Sequence, residues 1–261
     1  MADFNLQKSL KILGYNKGLI LNENLNTDKI PSWVKGNDFF GLFLPHLIII
    51  GDSREQNNWI EKACAYYGIK YKRAEKDKHA HIENLKEGDY SFGLIFGEEI
   101  INYVGKVAYE RKGSVSELYN NCTGYNKETQ RSDRERIKKE FDRFNTKQYR
   151  KVVLMLEFGE KILDLIDMTF SYYAKNGELQ IKSVGNTIYS TIMSWSQPNN
   201  KNFDIIQSNS HETLFWIMLQ DMFYFWRNDI KNIIQNKEKN GGNIKWLRRL
   251  EKLSKEARRT L

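Results

Sequence analysis

Cysteine is scarce in this chain: only Cys64 and Cys122 occur among its 261 residues. Two thiols are too few for a disulfide framework or for a zinc site built on cysteine ligands. We therefore expect both cysteines to be reduced structural thiols, as is usual for proteins of the cytoplasm.

Long hydrophobic runs are also missing. No stretch approaches the roughly 20 apolar residues that a membrane-spanning helix needs. The first residues, MADFNLQKSLKILGYNKG, contain no uninterrupted apolar segment of the kind that secretory signals carry. We expect a protein with no membrane partner, located in the cytoplasm.

Basic residues, in contrast, are in excess. The chain has 41 basic and 33 acidic residues, a formal net charge of +8, which favours an anionic partner such as nucleic acid. From Lys231 to the C-terminus there are ten basic and three acidic residues. There, one helical stripe is apolar and basic side chains cover the rest, which predicts a DNA-binding tail. Its candidate contacts are Lys245, Arg248, Arg249, Lys252, Arg258 and Arg259.

Strand-like and helical patterns alternate along the chain. The run LIII, residues 47–50, is bounded by Gly51 and has the composition of a strand buried on both faces. Helical spacing follows it as far as Gly68. Further strands are expected at IKYKR, YSFGLIF, KVAYERK, KVVLMLE and FDIIQS. Helices are expected at SVSELYNN, ETQRSDRERIKKEFDRFN, EKILDLIDMTFSYY, NTIYSTIMSW and HETLFWIMLQDMFYFWRNDIKNII.

This alternation predicts an α/β fold with a mostly parallel central sheet flanked by helices. Composition changes suggest three segments: an N-terminal appendage (1–44), a main domain (45–236) and the basic helical tail (237–261). The aromatic-rich last helix of the main domain is interpreted as core rather than as a base-stacking surface. His79 and His81 are interpreted as solvated loop residues rather than as metal ligands.

The stretch AYERKG ends an apolar strand with three consecutive charges. Glu110 and Lys112 are two residues apart on that strand, so they share a face, while Arg111 points to the other. A carboxylate can hold a hard cation, and an amine beside it can orient water or offset charge on a phosphate. Asp52 and Asp89 lie at ends of other predicted strands, where the sheet could bring them near. Each piece alone also fits a solvated surface, a turn or a helix cap.

The motifs IIIGDSREQ, GDYSF and AYERK, in this order, resemble the XPF-type structure-specific endonuclease domain over about residues 46–235. The resemblance implies a restriction-endonuclease-like nuclease fold and cleavage of DNA near a flap, fork or Holliday junction in recombination, repair or replication. It also implies Mg²⁺ or Mn²⁺ as cofactor. A non-catalytic DNA-binding subunit and a sequence-reading restriction-type nuclease remain as alternatives.

The resemblance assigns roles to seven positions. It implies four catalytic residues: Asp52, Asp89, Glu110 and Lys112. The three acids of this set are expected to bind the metal. Supporting or phosphate-binding roles are expected for Arg54, Glu55 and Arg111.

Two features depart from the family pattern. The family places an Asp four residues after the motif lysine, where this chain has Ser116, and the nearest acid is Glu117. The helix-hairpin-helix domain that follows in cellular relatives is not evident. Duplex binding would then fall to the tail and the nuclease domain, and a homodimer stays open. The small size fits an enzyme of a phage or mobile element.

Overall fold

The computed structural model describes these residues: 25–26, 28–32, 43–53, 55, 59–74, 85, 88–96, 99–123, 125–126, 131–132, 138–139, 141–144, 149–160, 169–173, 177–196 and 203–239. The fold is mixed α/β with a central sheet flanked by helices, which confirms the predicted class. The sheet is partly antiparallel. The chain divides into two compact units, a first of residues 1–85, 90–104 and 215–261, and a second of residues 86–89 and 105–214.

In the described part of the first unit, residues 25–26 and 28–32 precede a short 3₁₀ helix, and strands follow that helix. Its elements are the 3₁₀ helix Leu44–His46, β1 Leu47–Asp52, α1 Trp59–Tyr67, β2 Lys70–Ala74, β3 Tyr90–Phe96 and β4 Glu99–Asn102. Strand β1 pairs in parallel with β2 and antiparallel with β3, and β3 pairs antiparallel with β4. Every residue of β1 is buried, which explains why its first four residues, LIII, are all apolar. Gly68, at φ 70°, ends α1 as the sequence predicted.

A long helix, α4 His211–Lys239, contributes its residues from Phe215 onward to the first unit. Its aromatic side chains, apart from the exposed Tyr224, pack in or against the core, and the ring centroids of Phe223 and Trp226 lie 5.6 and 5.7 Å from that of Phe43. The buried hydroxyl of Tyr103 donates to Asp229 Oδ2 at 3.0 Å. The aromatic residues of this helix therefore mainly form core, as the sequence suggested.

The second unit is organised around three parallel strands. Its elements are β5 Val107–Lys112, α2 Val115–Thr123, β6 Tyr125–Asn126, β7 Arg131–Ser132, β8 Lys151–Leu156, β9 Thr169–Tyr173, β10 Leu179–Ser183, α3 Val184–Ser196 and β11 Phe203–Gln207. Strand β8 lies between β5 and β11 and is parallel to both. Phe141 and Phe144 are buried in a core that β5, α2, β8 and α3 also line.

Two helix predictions in this unit are wrong in part. The end of EKILDLIDMTFSYY is strand β9, which pairs antiparallel with β10, because TFSYY is β-branched and aromatic and suits a sheet. Arg131–Ser132, inside the long charged stretch, pairs with β6 instead of continuing a helix.

Several sequence predictions lie outside the described residues. These are most of the appendage, His79, His81, Arg54 and the six basic side chains of the tail. The boundaries proposed for the three segments stay predictions. Among the helices that the structure describes, none has the length and apolar character needed to cross a membrane.

Candidate active site

Asp89 is held beside the end of β5 by a tight turn. Gly88 precedes it at φ 77°, a conformation that glycine adopts without steric cost. The backbone N–H of Asp89 donates to the carbonyl of Tyr109 at 2.8 Å. Its carboxylate Oδ2 accepts the backbone N–H of Arg111 at 2.7 Å. The Gly-Asp turn therefore fixes an acid against the strand that carries the Glu-Arg-Lys triplet.

Glu110 and Lys112 share one face of β5, as strand alternation predicts. Both are buried, with 5% and 4% of their surface exposed. Lys112 Nζ donates to Glu110 Oε1 at 2.5 Å. A charge with so little water around it depends on a close partner, so each of these two groups holds the other in place.

The charge state of Lys112 follows from its neighbours. Burial alone lowers the pKa of the Lys112 amine, but Glu110 and Asp89 oppose that effect, with help from Glu117. Their negative charges and the hydrogen bond from Glu110 leave the pKa of Lys112 well above its usual range. Lys112 is therefore an ammonium at neutral pH, suited to binding anionic oxygen and not to removing a proton.

Glu117 is brought to the same amine by the start of α2. Ser114 Oγ accepts the Glu117 backbone N–H at 3.0 Å, and the Gly113 N–H donates to Glu117 Oε2 at 2.8 Å. The other carboxylate oxygen, Oε1, lies 3.9 Å from Lys112 Nζ. The resemblance found in the sequence gives Glu117 no assigned role in the site. The Ser-x-x-Glu spacing of a helix capping box is the signal that could have indicated where its side chain turns.

Arg111 lies on the opposite face of β5 and pairs with an acid that sequence reasoning missed. Its Nε donates to Glu157 Oε1 at 2.5 Å, and the two side chains are 11% and 4% exposed. Glu157 directly follows β8, and its backbone N–H donates to the Lys112 carbonyl at 3.0 Å. His211 Nε2 lies 3.6 Å from Glu157 Oε2. The signal that could have indicated Glu157 from the sequence is its position immediately after a predicted buried strand.

The two charged pairs approach each other at Gly113. A Cβ at this position would lie 3.4 Å from a terminal guanidinium nitrogen of Arg111 and 3.4 Å from Glu117 Oε2. It would also lie 3.7 Å from Glu157 Oε2. Because Gly113 has no side chain, charged groups from both faces of the strand end can lie close together there.

The DSRE turn belongs to the first unit. Asp52 is buried at the end of β1, and the Glu55 backbone N–H donates to the Asp52 carbonyl at 3.2 Å. The structure thus brings Asp89, Glu110 and Lys112 together within the second unit, and it places Asp52 and Glu55 in the first.

The donor set has the chemistry of a site for a hard cation. Carboxylate oxygens, which Asp89 and Glu110 supply, are the ligands that Mg²⁺ and Mn²⁺ prefer. Within the described part of the chain, no group of three or more His, Cys, Asp or Glu side chains is arranged to hold a metal ion. The positive charge that these carboxylates face is the ammonium of Lys112.

Comparisons with known proteins show a distant likeness to a solved structure. No protein-family model matches the chain, and no curated protein matches it. Among solved structures, the chain is similar to XPF from Aeropyrum pernix in complex with DNA, with 11% sequence identity and a TM-score of 0.40. The match covers 68% of this chain and 64% of that one, so this chain spans less than two thirds of its structural neighbour.

Proposed function

We propose that the protein is a divalent-metal-dependent DNA endonuclease that hydrolyses a phosphodiester bond near a flap, fork or Holliday junction. The observation that carries the proposal is the meeting of Asp89, Glu110 and Lys112 at the end of β5. These side chains come from two of the motifs that resemble an XPF-type nuclease. Their closeness in the second unit supports a shared chemical role.

Asp89 and Glu110 would hold Mg²⁺ or Mn²⁺, with Asp52 as the third acid that the motif order supplies. When bound, such an ion activates water and draws charge from the phosphate oxygens. The residues themselves supply orientation and charge. Lys112, kept as an ammonium, would stabilise negative charge on the phosphate. The carboxylate of Asp89, which accepts the Arg111 N–H, keeps its direction through the backbone.

Nucleic-acid binding is proposed to rest on the positive charge of the chain. The net charge is +8, and the tail after Gly242 carries the six basic side chains named above together with Lys255. Deleting residues 241–261 should weaken DNA binding and flatten its dependence on salt. With fewer phosphate contacts, DNA binding releases fewer counterions. An unchanged salt slope in the shortened protein would contradict a DNA-binding role for the tail.

A cleavage assay tests the catalytic proposal. Labelled flap, fork, Holliday and linear duplex DNA would be incubated with Mg²⁺ or Mn²⁺, and with EDTA as the metal-free control. We expect cutting near the branch that EDTA abolishes. Asp89→Asn and Lys112→Met should each reduce the rate by about 100-fold or more, the loss typical for removing one electrostatic group. Lys62→Met, an exposed lysine on α1, is the control and should cut normally.

The alternatives give different results in the same assay. DNA binding without cleavage, under every metal condition, would favour a non-catalytic subunit. Cleavage of linear duplex at a fixed sequence would favour a restriction-type nuclease. Normal cutting by Asp89→Asn and Lys112→Met would show that the site at the end of β5 is not the catalytic one.

A further inference from the structure

Lys112 has two carboxylates within reach of its ammonium. Nζ lies 2.5 Å from Glu110 Oε1 and 3.9 Å from Glu117 Oε1. Glu110 is buried, whereas the Glu117 side chain is 44% exposed. The ammonium therefore pairs with the buried carboxylate of Glu110, and the more exposed carboxylate of Glu117 lies 3.9 Å from Nζ.

Glu117 is built to receive that charge. Its Oε2 is already fixed by the Gly113 N–H, and its backbone N–H is capped by Ser114 Oγ. With one oxygen and the backbone held, the remaining Oε1 faces Lys112. A pre-oriented acceptor loses little side-chain entropy when it takes up an ion pair.

A metal ion and the Lys112 ammonium would compete for Glu110. Two positive charges a few ångströms apart repel strongly where little water screens them. Glu117 Oε1, 3.9 Å from Nζ, offers the ammonium a second carboxylate, so Lys112 can change partner without leaving the strand end.

We propose that Lys112 serves as the internal counter-ion of Glu110, and that it transfers to Glu117 when a divalent cation binds. Glu117 is then a positioning residue for Lys112, and the ion pair at Glu110 sets the affinity for metal. This inference rests on the proposed function, because it assumes that Glu110 is a metal ligand.

Metal binding can be measured without DNA and without catalysis. Titration of Mn²⁺ into the full-length protein, followed by the electron paramagnetic resonance signal of the free ion, gives the Kd directly. We expect Lys112→Met to bind Mn²⁺ about tenfold more tightly than the wild type, within the range of coupling between contacting groups. Glu117→Gln should bind it several-fold more weakly. Glu178→Gln, an exposed acid in the same unit, should bind as the wild type does.

The double variant separates this inference from simpler electrostatics. If Glu117 acts through Lys112, Glu117→Gln should have no effect in the Lys112→Met background. If Glu117 were itself a ligand, or acted only through its charge, the weakening would persist in that background and the proposal would be overturned. Equal Mn²⁺ affinity in the wild type and Lys112→Met would overturn it too.

Loss of Lys112 leaves a buried carboxylate unpaired and can unfold the protein, which circular dichroism would reveal. If Lys112→Met does unfold, the test rests on Glu117→Gln, which alters an exposed side chain. Unchanged Mn²⁺ affinity in that variant refutes the transfer of Lys112 to Glu117. Wild-type protein that cuts DNA with Mn²⁺ but fails these tests would refute this inference only. Protein that binds no Mn²⁺ would refute both this inference and the metal dependence of the proposed function.

Discussion

Replacing Gly88 with alanine should destabilise the second unit and displace Asp89. Gly88 has φ 77°, and a Cβ there would lie 3.0 Å from the Ala108 Cβ and 3.2 Å from the Tyr109 carbonyl oxygen. Carbon atoms in ordinary contact are about 3.5–4.0 Å apart. The opposing atoms belong to β5, whose backbone is paired along its length with β8, so it has little freedom to retreat.

A second glycine allows the expected loss of stability in Gly88→Ala to be separated into a conformational cost and a packing cost. Gly105 also has φ 77°, but a Cβ there would meet nothing within 4 Å. Gly105→Ala should therefore show the conformational cost alone, about 1–2 kcal/mol for a left-handed residue. Gly88→Ala should show that cost and the overpacking as well, which adds about 1–3 kcal/mol. The difference between the two variants isolates the contact with β5.

Urea unfolding followed by circular dichroism measures both free energies, and DNA cleavage reports the position of Asp89. We expect Gly88→Ala to be the less stable variant and to lose activity, while Gly105→Ala stays active. Equal stability of the two variants would contradict the inference that the Gly88 turn packs tightly against β5. A stable, fully active Gly88→Ala would also remove the argument that this turn positions the acid.

Three further changes should follow from other contacts. Burial lowers the pKa of His46, so folding disfavours its protonated form; stability should fall as pH drops below about 6.5, and urea unfolding of His46→Gln should lose part of that fall. A Cβ at Gly51 would overlap the hydroxyl of Tyr71, so Gly51→Ala should lower the urea midpoint, and Tyr71→Ala should relieve part of the loss. Arg111→Met removes the guanidinium partner of the buried Glu157 carboxylate and should cost up to about 3–5 kcal/mol in urea unfolding, whereas replacing both residues with apolar ones should cost less.

The parts of the fold that the sequence predicted well are those in which burial dictates composition. Strands β1 and β8 are apolar along nearly their whole length because both of their faces are covered. Helix α1 ends where Gly68 takes a positive φ. The helix predicted through residues 169–173 was wrong because a short run of aromatic and β-branched residues carries no reliable helical period.

The residues of the candidate site likewise differ in whether the sequence alone can predict their placement. Strand alternation alone puts Glu110 and Lys112 on one face, and this needed no tertiary information. Glu157 could not be assigned in this way, since its contact with Arg111 depends on the register between β5 and β8. The Ser-x-x-Glu spacing indicates that the Glu117 side chain turns back at the helix start, but its approach to Lys112 depends on the geometry of that start.

The pairing of β5 with β8 limits how this chain can change in length. Lys112 is aligned with Leu156, and each residue of β5 has one partner on β8. Inserting or deleting a single residue within β5 would turn every later side chain to the opposite face, so Glu110 and Lys112 would exchange surroundings with their neighbours. Gly177 and Glu178, which precede β10, are under no such constraint, because both are exposed and a Cβ at Gly177 would meet nothing within 4 Å. Length variation, whether in evolution or in engineering, should therefore be tolerated at those two residues and excluded from β5.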